Sequence, residues 1–176
     1  SIGAIWSSCP PQATVHEAVA HLRRVAPKLL FASDGGGTGS CDTRSALDAL
    51  SAIERVVVIT HGSNPAPLRD AVGWSQFVGD GEHAPEYVAL PFDHPLYMTG
   101  SGGTPAAPAE CSVHGAGGTL LRHLKEIVLH ADLYREDRIL SGAQGGWSAW
   151  HWFASTLAVG ATLVLHDGAL SDHGAL

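Results

Sequence analysis

Apolar residues recur at helical spacing through Val15, Ala18, Val19, Leu22 and Val25, on the capping-box arrangement Thr14-Val15-His16-Glu17. A helix is expected there, ended by Pro27. A short buried strand over Lys28-Leu29-Leu30-Phe31-Ala32 should follow, closed by Asp34-Gly35-Gly36-Gly37-Thr38-Gly39. A second helix is expected from about Thr43 to Ile53, with Leu47, Leu50 and Ile53 on one face. The clearest strand is Arg55-Val56-Val57-Val58-Ile59, β-branched and bounded by Thr60-His61-Gly62. Helix, strand, helix and strand with short connections predict parallel α/β construction over residues 1–60. Residues 61–90 read as an irregular connection, Gly-, Pro- and Asp-rich over 61–86, with Tyr87-Val88-Ala89-Leu90 a short strand candidate. From 91 onward the pattern predicts a strand over Leu96-Tyr97-Met98-Thr99 and a loop of small residues from Gly100 to Ala109. A long helix should then bear a stripe of Leu120, Leu121, Leu124, Ile127, Val128 and Ala131. Arg138-Ile139-Leu140 is a brief strand, a Trp-rich helix spans about 147–158, and Ala161-Thr162-Leu163-Val164-Leu165 is the last strand. No internal repeat is visible.

Composition bounds the rest. With 176 residues, 45% of them hydrophobic, the chain can hold one domain with a sizeable core. The formal net charge of −7 excludes the basic stripe that a nucleic-acid binder needs. No run of eighteen apolar residues predicts a membrane span. Cys9, Cys41 and Cys111 are odd in number and widely spaced, which fits a reducing, cytoplasmic compartment better than a disulfide framework. The opening Ser1-Ile2-Gly3-Ala4-Ile5-Trp6 lacks the basic leader of a signal peptide and reads as if the chain starts inside a folding unit, so a portion of something larger is expected. Two lysines, Lys28 and Lys125, stand against eight arginines.

Chemistry has few candidate places. Gly100-Ser101-Gly102-Gly103-Thr104-Pro105 lies between a strand and a long helix, where glycine backbone freedom and exposed amide and hydroxyl groups can wrap phosphate. It is no Walker A loop, because no G-K-[ST] follows, and by itself such a loop is more often a linker. The eleven histidines form neither H-E-x-x-H nor a zinc spacing. His123 and His130 share a helix face but stand about 10 Å apart at 1.5 Å per residue, too far to share a metal. Hydrogen-bonded or solvated histidines are therefore expected, with no metal site. Trp150, Trp152 and Phe153 read as core packing, and Cys111 has no base to make it a nucleophile.

Beyond these patterns, the stretch from Pro91 to Leu170 resembles the acetoacetyl-CoA synthetase family, within the adenylate-forming acyl-CoA synthetases. Phe92-Asp93-His94-Pro95-Leu96 is similar to the segment before that family's phosphate loop, Y-S-S-G-T-T-G-x-P-K-x-I-V-H-G, whose end matches Val113-His114-Gly115. Gly117-Gly118-Thr119-Leu120-Leu121-Arg122-His123-Leu124-Lys125 resembles the helix after the loop. Gly146-Trp147 with Trp150 and His151 resembles G-W-M-M-W-N, and Val159 to Gly168 resembles V-G-A-T-I-V-L-Y-D-G. Gly3 to Cys9 and Pro27 to Ala32 are similar to upstream stretches of the same family.

The resemblance implies an α/β fold with a mainly parallel layered sheet and flanking helices, residues 1–176 forming part of the synthetase N-terminal domain. It implies an acid–thiol ligase that joins a small carboxylate, acetoacetate or similar, to CoA through an acyl-adenylate, with ATP, Mg²⁺ and CoA as reactants. Ser101, Gly102, Gly103 and Thr104 would hold the phosphates. Trp147 would gate the acyl pocket, with Ser148 and Ala149 lining a roomier one than usual. The family's loop lysine falls at Ala109, one extra residue sits around Glu110, and Pro105 and Ala106 replace a threonine and a glycine. A lost cation and an added carboxylate both act against polyphosphate. The family's adenine, ribose, hinge and C-terminal lysine elements have no counterpart here, so the chain alone is expected to be inactive, with no catalytic residue of its own. A remnant binding a nucleotide or another subunit is the alternative. A third reading is an esterase in which Ser148, in Gly146-Trp147-Ser148-Ala149-Trp150, uses Asp167 or Asp172 with His173 and the His114-Gly115-Ala116-Gly117-Gly118 loop; the last glycine of G-x-S-x-G is missing.

Overall fold

The computed structural model describes residues 2–9, 13–33, 52–60, 71–81, 84–100, 110–142 and 148–166. Helix α1 (Val15–Val25) begins as the sequence predicts. Glu17 N–H donates to Thr14 Oγ1 at 3.3 Å, and Thr14 N–H donates to Glu17 Oε2 at 2.8 Å, closing the capping box. The Thr14 N–H, and the Thr14 hydroxyl that also donates to Glu17 Oε2 at 2.7 Å, hold the Glu17 carboxyl below its ordinary pKa. The helix ends at Ala26, which takes a left-handed conformation (φ 47°) just before Pro27. Removing the cap with Thr14→Ala should lower stability by about 1 kcal/mol, within the roughly 0.5–2 kcal/mol known for such caps. A urea titration followed at 222 nm measures it, and an unchanged midpoint would show that the helix start does not depend on Thr14.

Strands β2 (Leu29–Ser33), β3 (Arg55–Ile59) and β4 (Ala71–Gly73) form a parallel sheet in that order. Leu30 pairs with Val56, Phe31 with Val57 and Val57 with Val72. Val56, Val57 and Val58 are all buried, as a central parallel strand covered on both faces requires. The irregular connection expected over 61–86 is corrected here, because residues 71–78 hold β4 and a short helix α2 (Trp74–Val78). Three residues are too few to show a two-residue alternation, and β4 exists through its pairing with β3. The expected helix over 43–53 lies outside the described residues except at Ala52 and Ile53, which are not helical. Lys28 and Glu54 form an ion pair at 3.1 Å beside the sheet, too exposed to add much stability.

A second sheet has the order β1 (Trp6–Ser7), β5 (Pro95–Gly100), β6 (Cys111–Gly115). β1 runs parallel to β5, and β5 runs antiparallel to β6. Neither β1 nor β6 is apparent from the hydrophobic pattern, whereas the strand candidate Tyr87–Leu90 has no regular structure and leaves Tyr87 73% exposed. Aromatic rings join the two sheets: Phe31 lies 6.4 Å from Trp6 and 5.5 Å from Phe77.

Helix α3 (Ala116–Lys125) follows β6 and continues as a π-helical turn over Glu126–His130, with Ala131 N–H donating to the Glu126 carbonyl. Its inward side is Thr119, His123 and Ile127 rather than the centre of the leucine stripe. Leu120 and Leu121 stay exposed among the described residues, whereas Ile127 of the same stripe is fully buried and His123 nearly so. That next helix, α4 (Ser148–Ser155), extends into a 3₁₀ turn over Thr156–Val159 and connects β7 (Arg138–Leu140) to its parallel partner β8 (Thr162–Val164). Gly160 closes the turn with φ 83°, against the Arg135 side chain. Four of the five strand pairings among the described residues are parallel, as the sequence predicts. No helix among them is long and apolar enough to cross a membrane.

Candidate functional site

β5 and β6 form a hairpin whose strands close at the Gly100–Cys111 pair, so residues 101–110 connect its two arms. Ser101, Gly102, Gly103 and Thr104, predicted to hold phosphate, lie outside the described residues, as do Ala109 and Trp147. The structure does show how the hairpin is held. Ser7 Oγ donates to the Met98 carbonyl at 3.0 Å and lies 2.8 Å from His21 Nε2. One hydroxyl carries one proton, so His21 Nε2–H is the donor in that contact and Nδ1 keeps its lone pair. A Cβ at Gly100 would stand 3.2 Å from this Nδ1, which favours glycine at the last residue of β5. Burial lowers the His21 pKa, and Arg24 lowers it further.

The Phe92-Asp93-His94 stretch anchors the other end. Ala116 N–H donates to the His94 carbonyl and Gly117 N–H to the Phe92 carbonyl, both at 2.8 Å. These bonds occupy amides that the esterase reading would assign to an oxyanion. The Phe92 ring covers Gly117 and leaves no space for a Cβ, and His94 Nε2 contacts the Gly3 carbonyl at 3.2 Å.

Beneath the hairpin, the structure assembles residues that the sequence leaves scattered. Tyr97 is 5% exposed. Its ring stacks on His114 of β6 at 4.5 Å and on His151 of α4 at 3.8 Å, nearly parallel to both. Two rings so close and so parallel to a third cannot share one face of it, so the phenol lies between two imidazoles. Thr99 Oγ1 contacts His114 Nε2 at 3.0 Å. Ser155 Oγ donates to the His151 carbonyl at 2.7 Å and therefore accepts from His123 Nδ1–H at 2.8 Å. A cavity of about 300 Å³ opens here, lined by Trp6, Tyr97, Thr119, His123, His151 and Ser155 among others. Burial is the largest influence on each titratable wall. It raises the Tyr97 pKa against opposing effects of Thr119 and Arg122. It lowers His114, helped by Arg122, and His151, helped by His114 and His123. It also lowers His123, opposed by Glu126. All three imidazoles are thus biased toward the neutral form.

The expectation of hydrogen-bonded or solvated histidines describes His123 and His130 well, since the first is buried on Ser155 and the second exposed. It misses the stack, because the Tyr97–His114 register belongs to a strand the pattern does not reveal. Among the described residues no three His, Cys, Asp or Glu side chains are grouped to hold a metal. Cys9 and Cys111 form no disulfide. Of the predicted acyl-pocket residues, Ser148 and Ala149 occupy the exposed first turn of α4, one turn before His151.

No protein-family model matches the chain. It is 36% identical to the acetoacetyl-CoA synthetase of Gallus gallus and 38% identical to the acetoacetyl-coenzyme A synthetase of Rhizobium meliloti, in both cases over 96% of its own length. The chain spans 27% of the length of these relatives. Among solved structures it resembles an acetoacetyl-CoA synthetase from Streptomyces lividans with a TM-score of 0.82 and 32% identity, covering 94% of this chain and 26% of that one. An anthranilate CoA ligase shares the fold at a TM-score of 0.75 and 20% identity.

Proposed function

We propose that this chain, homologous to acetoacetyl-CoA synthetases over nearly all its length and built on the acyl-CoA synthetase fold, corresponds to the phosphate-loop portion of an ATP-dependent acid–thiol ligase. The observation that carries this reading is the collinear similarity. That residues 101–110 join the two arms of the β5–β6 hairpin supports this reading. In this reading Ser101, Gly102, Gly103 and Thr104 bind the phosphates of ATP, and Trp147, Ser148 and Ala149 line the place of a small acyl group such as acetoacetate. Mg²⁺ and CoA complete the family's reaction.

The residues of this chain do not complete a polyphosphate clamp. Ala109 replaces the lysine, and Glu110, exposed next to Cys111 at the root of the hairpin, puts a carboxylate near where anionic phosphate would lie. The reading therefore includes no adenylation by the chain alone, and weak nucleotide or subunit binding is the alternative that the altered loop favours. The third reading, an esterase at Ser148, needs Asp167 or Asp172 together with His173, and these lie outside the described residues.

Two measurements test the proposal. ATP–pyrophosphate exchange with acetoacetate should stay at background for the purified chain, and sustained turnover would overturn the inactive reading. Ala109→Lys should tighten ATP binding about tenfold or more, since a hydrogen bond to a charged group contributes roughly 1.5–3 kcal/mol. Unchanged affinity in calorimetry would remove the loop from phosphate binding.

A further inference from the structure

We propose that the Tyr97 ring, held between His114 and His151, is a positioning contact that sets helix α4 against the β5–β6 hairpin, and that this contact opens in acid. It rests on the ligase reading only for the meaning given to its two ends. Tyr97 stands three residues before Gly100, where the hairpin connection begins, and His151 stands three residues after Ser148, at the start of the predicted acyl pocket. The stack is thus a packing link, through a buried phenol between two half-buried imidazoles, between the strand leading into the proposed phosphate loop and the helix carrying the proposed acyl residues. A second tie, from His123 to Ser155 and on to the His151 carbonyl, holds α4 to α3 on the same side.

Acid sensitivity follows from what surrounds the rings. His151 Nε2 is buried and has no hydrogen-bond partner among the described residues, so a proton placed there gains no acceptor. The groups around it are Tyr97 from β5, His114 from β6, His123 from α3 and Trp6 from β1. Arg122 acts on His114 and His123, and Glu126, which Arg122 already engages at 3.1 Å, acts on His123 as the one carboxylate among the described residues that affects the three imidazoles. An imidazolium over the phenol would gain a cation–π attraction. Burial and the neighbouring cations outweigh that gain, and all three histidines are held below their ordinary pKa. The open form, with histidine near its ordinary pKa of about 6.5, then binds protons more readily than the closed form. The closed stack is fully favoured above that pH and loses ground as the pH falls toward the depressed values.

The experiment is NMR of the full chain from pH 8 to pH 5, following the Tyr97 ring protons and the histidine Cε1–H signals. Above pH 7 the Tyr97 protons should show the ring-current displacement of a stacked phenol and move toward free-tyrosine shifts together with the His114 and His151 titrations. His151→Phe keeps a ring on Tyr97 but takes no proton, so the opening midpoint should fall by roughly half a pH unit or more. His130→Phe, on an exposed residue, should leave the midpoint unchanged. An unaltered midpoint in His151→Phe, or unstacked Tyr97 shifts at pH 8, would overturn the proposal. If His151→Phe fails to fold, His151→Gln removes ring and charge together. Tyr97 should then lose the His151 share of its ring-current displacement at every pH and keep only that of His114, and a displacement equal to that of the unsubstituted chain would count against the contact. None of these signals passes through ATP, so a chain that binds no nucleotide still tests the stack, and failure of the stack leaves the ligase reading standing.

Discussion

Val57→Asp should abolish folding of the β2–β3–β4 sheet. Val57 is fully buried at the centre of β3, paired with Phe31 on one side and Val72 on the other. Valine at this position contributes apolar area and a β-branched fit to the sheet, and its neighbours Val56 and Val58 are buried as well. An aspartate there meets no cation among the described residues. Lys28 beside the sheet is 80% exposed and already paired with Glu54. The carboxyl must either carry an uncompensated charge in an apolar interior or protonate and leave a polar group unsatisfied, and both cost several kcal/mol. A domain whose whole stability is roughly 5–15 kcal/mol has little margin for that loss. Far-UV circular dichroism and a urea titration read the outcome. A native-like spectrum with an unchanged midpoint would mean that Val57 is not enclosed as described.

Phe153→Ala is the second large effect, expected at about 3–5 kcal/mol. Phe153 is 1% exposed in α4, with Trp150 5.7 Å away ring to ring. The next turn is tied to it as well, since Thr156, fully buried, donates its hydroxyl to the Phe153 carbonyl at 2.7 Å. Truncation removes transfer free energy and leaves a void that α4 cannot fill without shifting that turn. Phe153→Leu keeps much of the volume and should cost less. Leu157→Ala, at a position 58% exposed, should stay within about 0.5 kcal/mol. Equal urea midpoints for Phe153→Ala and Leu157→Ala would contradict the packing of α4.

Local signals account for what the sequence makes legible. The Thr14–Glu17 box, the run Arg55–Ile59 and the Trp-rich helix are each written within a dozen residues, and each forms close to where it is predicted. β1, β4 and β6 are not legible. Trp6–Ser7 and Ala71–Gly73 are too short for any periodicity, and Cys111–Gly115 alternates weakly, so all three depend on partners elsewhere in the chain. Tyr87–Leu90 shows the opposite error: its residues favour a strand, yet no strand among the described residues pairs with it. Histidines 114, 123 and 151 look unrelated in one dimension because a strand register, a helix face and a separate helix bring them together. The resemblance to a known family supplies the proposed place of a phosphate loop, which no periodicity here would single out.

The pairing of β1 with β5 also shapes how this molecule comes into being. Ser7 meets Met98 across 91 residues of chain. A ribosome adding roughly 5–20 residues per second would deliver the partner of β1 about 5–20 seconds after β1 itself. For that interval Ile2, Ile5 and Trp6, still partly exposed in the finished fold, stand beside a strand with both edges open. Until that partner arrives the stretch keeps unpaired backbone groups beside apolar side chains, so it is a place on the growing chain where a chaperone would act.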